Sequence, residues 1–92
     1  MFRPEQNLTV RNAAAVLQQG LQAIAAGQRE IDLASLTAVD SSAVAVLLAW
    51  QRASRELGRP LAFRHFPVNL QSLIELYGVE ALLAPDTAHA PT

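Results

Sequence analysis

The strongest structural signal in this chain is the stretch AVDSSAVAVLLAW at residues 38–50. An acidic residue and two serines occupy positions 40–42, directly before eight residues whose only polar side-chain group is the indole N–H of Trp50. Short polar side chains favour helix N-termini, because they accept hydrogen bonds from backbone N–H groups that the first turn leaves unpaired. The stretch therefore predicts a helix over residues 41–57, ended by Gly58 with Pro60 beyond it.

The first two turns of this predicted helix are apolar on every side. At 100° per residue, one stripe forms a core face that includes Leu47 and Trp50, and the C-terminal half has a polar back. The N-terminal half lacks a polar back, whereas a surface helix normally shows a single apolar stripe. Because 92 residues leave little room to bury both sides, we favour a partner-binding surface here over plain burial. We expect this surface to contain the polar cap and the apolar residues behind it: Asp40, Ser41, Ser42, Val44, Ala45 and Leu48.

The composition narrows the class of protein. A hydrophobic fraction of 51% with 16% charged residues predicts an ordered domain. With 7 Lys and Arg residues against 8 Asp and Glu, the net charge of −1 gives no electrostatic footprint for nucleic acid or an anionic membrane. There is no cysteine for disulfides or thiolate metal sites. No run approaches the roughly 20 apolar residues of a membrane span. The first ten residues do not resemble a signal peptide, so we expect a cytoplasmic protein with no direct membrane insertion.

The rest of the chain alternates between short strand patterns and helical patterns. Such alternation predicts an α/β domain in which helices flank a small mixed sheet. We assign this domain to residues 1–84 and a frayed tail, rich in Pro, Ala and Thr, to residues 85–92. The predicted elements are extended segments at Phe2 and 8–10, a helix over 11–28 with Asn12 as N-cap and Gly27 as its stop, a strand at 30–33, a polar turn over 34–37, a strand at 61–66 and a helix from Pro67 to Gly78.

The apolar positions of these elements predict the core. Gly20 lies on the apolar face of the first helix, where we expect it to permit close packing. Trp50 and Tyr77 are expected as packing anchors rather than as a stacking platform for bases. The predicted core consists of Leu17, Leu21, Ile24, Ile31, Leu33, Leu47, Trp50, Leu61, Phe63, Leu70, Leu73 and Ile74.

The sequence offers few residues for catalysis. His65 lies on a predicted strand and His89 in the tail, and neither has a carboxylate at metal-ligand spacing, so His65 is expected as a structural residue at the sheet rim. The four glycines form no phosphate-binding loop. Neither Ser41 nor Ser42 has an evident base partner for nucleophilic catalysis. We therefore expect no enzymatic activity, no cofactor and no metal site.

The order of these segments resembles a known family. IDLASLTAVDSSAVAVLLAW, followed by a glycine-terminated helix, a strand and a further helix, is similar to a STAS domain, the fold of anti-sigma-factor antagonists. The segments LLAWQRAS and LYGVEALL, and the Phe-Pro-x-Asn-Leu-x-Ser-Leu run at residues 66–73, more narrowly resemble the MlaB-type subunit of the Mla phospholipid-transport ABC system. The resemblance covers residues 8–83. The chain departs from the family where Ser42 and Ala43 replace a frequent glycine and where the N-terminal hairpin is short.

The resemblance implies a non-catalytic cytoplasmic subunit that binds the ATPase of an ABC transporter for phospholipids and, through that ATPase, an inner-membrane permease. Such a system moves lipids between membranes and maintains outer-membrane lipid asymmetry. The family's functional hydroxyl falls on Ser41, which contacts the ATPase in the Mla branch and is phosphorylated by a partner kinase in the antagonist branch. An anti-sigma-factor antagonist switched by phosphorylation of Ser41 is therefore the alternative function. A homodimer of the isolated domain through the same patch also stays open.

Overall fold

Three helices and four short strands form the part of the chain that the computed structural model describes, residues 2–4 and 6–83. The predicted tail at residues 85–92, with His89, lies outside the described residues. In chain order the elements are β1 (Gln6–Leu8), α1 (Ala13–Ala25), β2 (Glu30–Asp32), β3 (Leu36–Val39), α2 (Ser41–Glu56), β4 (Ala62–Arg64) and α3 (Val68–Tyr77).

The N-terminal segment runs parallel to the chain between residues 30 and 39. Phe2 forms a parallel bridge with Ile31, and β1 pairs in parallel with β3, with a register shift between Gln6 and Asn7. β2 also pairs in parallel with β4. A turn in which the Leu36 N–H donates to the Leu33 carbonyl at 3.1 Å separates β2 from β3. Parallel neighbours require a crossover connection, and α1 and α2 supply these crossovers.

The predicted α/β class is confirmed, with differences in the strands. Where one small mixed sheet is expected, the four strands form two small sheets, each a parallel pair. β3 begins inside the segment that the sequence predicts as a polar turn. The turn was predicted because Thr37 and Ala38 are exposed and only Leu36 is buried, which leaves no alternating pattern to detect. β4 is shorter than the predicted strand at 61–66.

The helix boundaries agree closely with the sequence pattern. Asn12 directly precedes α1, and Pro67 directly precedes α3. Gly58 and Gly78 follow α2 and α3, and both have φ of 68°. This is the left-handed region, in which any side chain would strain the backbone, so glycine is the residue that allows the chain to leave each helix there.

Trp50 lies at the centre of the core and is fully buried. Its indole Nε1 donates a hydrogen bond to the carbonyl oxygen of Leu17 at 3.0 Å. The indole packs edge-to-face against Phe2, with ring centroids 5.6 Å apart. Gly20 lies so close to the indole that a Cβ atom at this position would overlap it. The predicted roles of Trp50 as a packing anchor and of Gly20 in close packing are therefore confirmed.

Most of the predicted core is buried, but its edges differ from the prediction. Leu17, Leu21 and Leu73 are only partly buried and pack against the core. Tyr77 is 51% exposed and is therefore wrong as a packing anchor, since the last position of α3 lacks the covering layer that the inner turns of the helix receive. Further buried residues come from short or irregular segments: Leu8, Leu36 and Leu83.

Candidate functional site

Asp40 connects the start of α2 to the loop between β1 and α1. It is the N-cap of α2, and its Oδ1 accepts a hydrogen bond from the Ser42 N–H at 2.8 Å. Its Oδ2 accepts from the Val10 N–H at 3.0 Å. Its backbone carbonyl accepts from the Ala43 N–H at 2.9 Å. The predicted cap is thus present, and one carboxylate fixes the positions of two segments that are far apart in the chain.

The charge state of Asp40 follows from these contacts. The N–H of Val10 holds the pKa of the Asp40 carboxyl below its usual value, the N–H of Ser42 acts in the same direction, and partial desolvation opposes them. Asp40 is therefore ionised at neutral pH. Because it already occupies the N–H groups of Ser42 and Ala43, the helix N-terminus has fewer free donors for an external anion than the sequence suggests.

Ser41 is the first residue of α2 and is exposed. Among the hydrogen bonds of the described residues, none involves its hydroxyl. Its position at the helix N-terminus agrees with the prediction. Since Asp40 rather than Ser41 caps the helix, the Ser41 hydroxyl is available to a partner molecule.

Val44 is not on the surface, and its expected place in a partner-binding patch is wrong on this point. Its side chain is only 4% exposed and belongs to the core cluster. The reason is that α2 packs against both α1 and α3, so it buries a face wider than the single stripe of an ordinary surface helix. For Val44, burial in the core is therefore correct and a place in the partner-binding surface is not.

The remaining residues of the predicted patch do reach the surface. Ala45 is exposed, whereas Ser42 and Leu48 are half-buried. Ser41, Ala45 and Leu48 are spaced at i, i+4 and i+7, which places them on one side of the helix. We propose this set, together with Ser42, as the partner-binding surface and call it the docking surface: Ser41, Ser42, Ala45 and Leu48.

A shallow groove between α1 and α2 borders the docking surface. Its volume is about 220 Å³, and its lining is almost entirely aliphatic: Ala13, Ala14, Leu17, Ser42, Ala45 and Val46. The sequence did not point to the α1 side of this groove, because alanines on a helix are compatible with either a core or a surface. Val10, 74% exposed and joined to Asp40 by its N–H, is a further apolar neighbour that looks like a strand residue in the sequence.

A second polar cluster lies at the ends of β2 and β4. Asp32 is 8% exposed and accepts a hydrogen bond from the Ala34 N–H at 2.9 Å. His65 Nδ1 lies 3.2 Å from Asp32 Oδ1, and an Arg3 guanidinium nitrogen lies 3.5 Å from Oδ2. The Ala34 N–H lowers the pKa of the Asp32 carboxyl, with desolvation opposing it and His65 and Arg3 assisting. His65 therefore lies at the sheet rim and helps to hold a strand end.

Two kinds of feature are absent from the part of the chain that the structure describes, a metal-binding cluster and a membrane-spanning helix. Within residues 2–4 and 6–83, no group of three or more His, Asp or Glu side chains is arranged to hold a metal ion. None of the helices in that same part of the chain combines the length and the apolar character needed to span a membrane.

A sequence model of a protein family, described as "Mlab, STAS domain", matches residues 5–84, which is most of the chain. The match includes the β3–α2 junction with Asp40 and Ser41, and all of α2 and α3. No curated protein matches the chain.

Proposed function

This chain belongs to the STAS-domain family, and from that premise we propose that it is a non-catalytic accessory subunit of an ABC transporter for phospholipids. In this proposal it binds the cytosolic ATPase of the transporter and stabilises or regulates it. Through the ATPase it contacts an inner-membrane permease, and it therefore lies in the cytoplasm at the periphery of the inner membrane. The transporter moves phospholipids between membranes and maintains the lipid asymmetry of the outer membrane.

One observation carries the proposal: the outward side of the first turns of α2 has an exposed hydroxyl followed by apolar side chains. Ser41 offers a hydroxyl without a hydrogen bond to any described residue, and Ala45 and Leu48 follow it on the same side. Asp40 already caps the helix, so capping does not require the Ser41 hydroxyl. A polar group beside small apolar groups on a rigid helix suits a protein interface, in which the hydrogen bond sets the register and the apolar contact excludes water.

The geometry also supports a binding role over catalysis. Asp40, the acidic residue next to Ser41, directs both carboxylate oxygens to backbone N–H groups, where they hold the cap. A nucleophilic serine requires a base within hydrogen-bond distance. The hydroxyl of Ser41 has no such neighbour among the described residues, which favours contact with a partner over activation.

An anti-sigma-factor antagonist, switched by phosphorylation of Ser41, is the second candidate. The exposure of Ser41 favours it, because a kinase must reach the hydroxyl. The adjacent Asp40 opposes it in part, since its negative charge and its occupation of the Ser42 N–H leave less stabilisation for a phosphate at the helix N-terminus.

Co-purification separates the two candidates. The full chain, tagged and expressed in its native host, should retain an ABC ATPase encoded in the neighbourhood of its gene, and the complex should survive gel filtration. The control is Gln22→Ala, a change at an exposed residue of α1 outside the docking surface and outside the groove that borders it, which should retain the ATPase equally well. Retention of a serine kinase that phosphorylates Ser41, with no ATPase, would replace the first candidate with the second.

A further inference from the structure

The outward side of α2 continues beyond the docking surface and becomes cationic. Arg52 and Arg55 follow Ser41 at i+11 and i+14, so with Ala45 and Leu48 they lie within about 80° of the helix circumference. Both arginines are exposed. The side of the helix that begins with the Ser41 hydroxyl thus passes through two apolar residues and ends in two positive charges.

The two arginines have no ionic partner in the described part of the chain. The ion pairs found there involve Arg3, Arg64 and His65, but neither Arg52 nor Arg55. Glu56 lies four residues after Arg52 and does not pair with it. Each guanidinium therefore presents an unpaired fork of N–H donors, a geometry that matches carboxylates.

The arginines also border a groove that two leucines help to line. Leu48, Gln51, Arg52, Arg55 and Leu82 line this groove, which has a volume of about 220 Å³. Leu82, in the turn after α3, is 48% exposed. The groove shares Leu48 with the docking surface, so a partner that covers Ser41 and Ala45 would meet the groove in the next two turns of α2.

We propose that the partner ATPase inserts a segment with Asp or Glu side chains against Arg52 and Arg55, next to an apolar residue that contacts Leu48 and Leu82. This inference rests on the proposed function, because it concerns the same partner. Charge complementarity supports an acidic segment. An anionic membrane is disfavoured, since the chain has a net charge of −1 and membrane attraction requires a larger basic cluster.

The test is the salt dependence of ATPase binding. We expect the affinity of the parent chain for the ATPase to fall between about 50 mM and 500 mM NaCl, because partly exposed ion pairs are screened. The double variant Arg52→Gln/Arg55→Gln should bind roughly 2- to 30-fold more weakly at the lower salt concentration, the range for two exposed ion pairs. The affinity of the double variant for the ATPase should change much less with salt concentration than that of the parent. Arg29→Gln, an exposed change before β2, is the matched control and should behave like the parent.

Each outcome separates this inference from the function on which it rests. If the parent fails to bind the ATPase at all, the proposed function is wrong and this inference fails with it. If the parent binds but the double variant has the same affinity and salt dependence, only the acidic segment is wrong. The last measurement is binding to vesicles made of equal parts phosphatidylcholine and phosphatidylserine. Binding of the parent to these vesicles, lost in the double variant, would assign the arginines to a membrane and overturn the inference.

Discussion

Val44 and Ala45 are adjacent on α2, but one is buried and the other is exposed. The same substitution should therefore affect folding at one position and binding at the other. Val44 is 4% exposed within the core, whereas Ala45 is exposed on the docking surface. We predict that Val44→Asp unfolds the domain, and that Ala45→Asp leaves it folded and weakens binding to the ATPase.

The expected magnitudes follow from the burial of each side chain. Val44→Asp loses the burial of a valine side chain, about 1.5–3 kcal/mol, and leaves an uncompensated buried charge, which costs about 3–5 kcal/mol. The sum, about 4.5–8 kcal/mol, is comparable with the total stability of about 5–14 kcal/mol expected for 92 residues. Ala45→Asp loses at most about 0.7 kcal/mol of helix propensity. At the docking surface, the new carboxylate would be pressed into an apolar contact, and affinity should fall by at least about tenfold.

Circular dichroism melting and a pull-down with the ATPase measure both effects on the same samples. We expect Val44→Asp to lose cooperative melting or to melt at least about 15 °C below the parent, and Ala45→Asp to melt within about 6 °C of it. A Val44→Asp variant that melts like the parent would show that Val44 is not in the core. An Ala45→Asp variant that retains parental binding would remove Ala45 from the interface.

Two further predictions concern the contacts that position the site. Gly20→Ala should destabilise the domain by about 0.5–3.5 kcal/mol, because overpacking against Trp50 and loss of the bond from its indole to the Leu17 carbonyl outweigh the gain of about 1 kcal/mol in helix propensity. A rise in the denaturant midpoint, which propensity alone predicts, would refute this. The second prediction is that Asp40→Asn is less stable than the parent at pH 7, and that the difference narrows as the pH falls below about 3.9. The sign follows from the folded-state pKa of Asp40, which the Val10 N–H lowers: the ionised carboxylate stabilises the fold above the unfolded-state pKa, and protonation removes this contribution. Thermal melts between pH 3 and pH 7 would contradict the prediction if the difference stayed constant.

The features of the fold that depend on local chemistry were predictable from the sequence. A short polar cluster before an apolar run indicates a helix start, and the structure has Asp40 as the N-cap there. Glycine after a periodic segment indicates a helix end, and Gly58 and Gly78 adopt the positive φ that such ends require. The close packing at Gly20 was predictable because this residue lies on the apolar face of its helix, but the identity of its neighbour, Trp50, was not.

The features that depend on several elements at once were not predictable from the sequence. The burial of Val44 requires α2 to lie against both α1 and α3, and no pattern within one helix reveals two neighbours. β3 exists because the N-terminal segment pairs with it in parallel, a contact between residues about thirty positions apart that leaves no local alternation. The same limit applies to the site: Val10 meets Asp40 only through the tertiary fold.

The affinities of Ser41→Asp and Ser41→Ala for the ATPase show whether the Ser41 hydroxyl lies in the interface. Ser41→Asp should fold nearly as well as the parent, because a negative charge at a helix N-terminus gains about 0.3–1 kcal/mol against some repulsion from Asp40. An unpaired charge in the contact costs about 2–5 kcal/mol, so its affinity should fall by roughly one and a half to nearly four decades. Ser41→Ala loses one hydrogen bond and should bind about 2- to 13-fold more weakly. If isothermal titration calorimetry finds that folded Ser41→Asp binds as tightly as the parent, Ser41 is not in the interface and the proposed mode of ATPase binding is wrong.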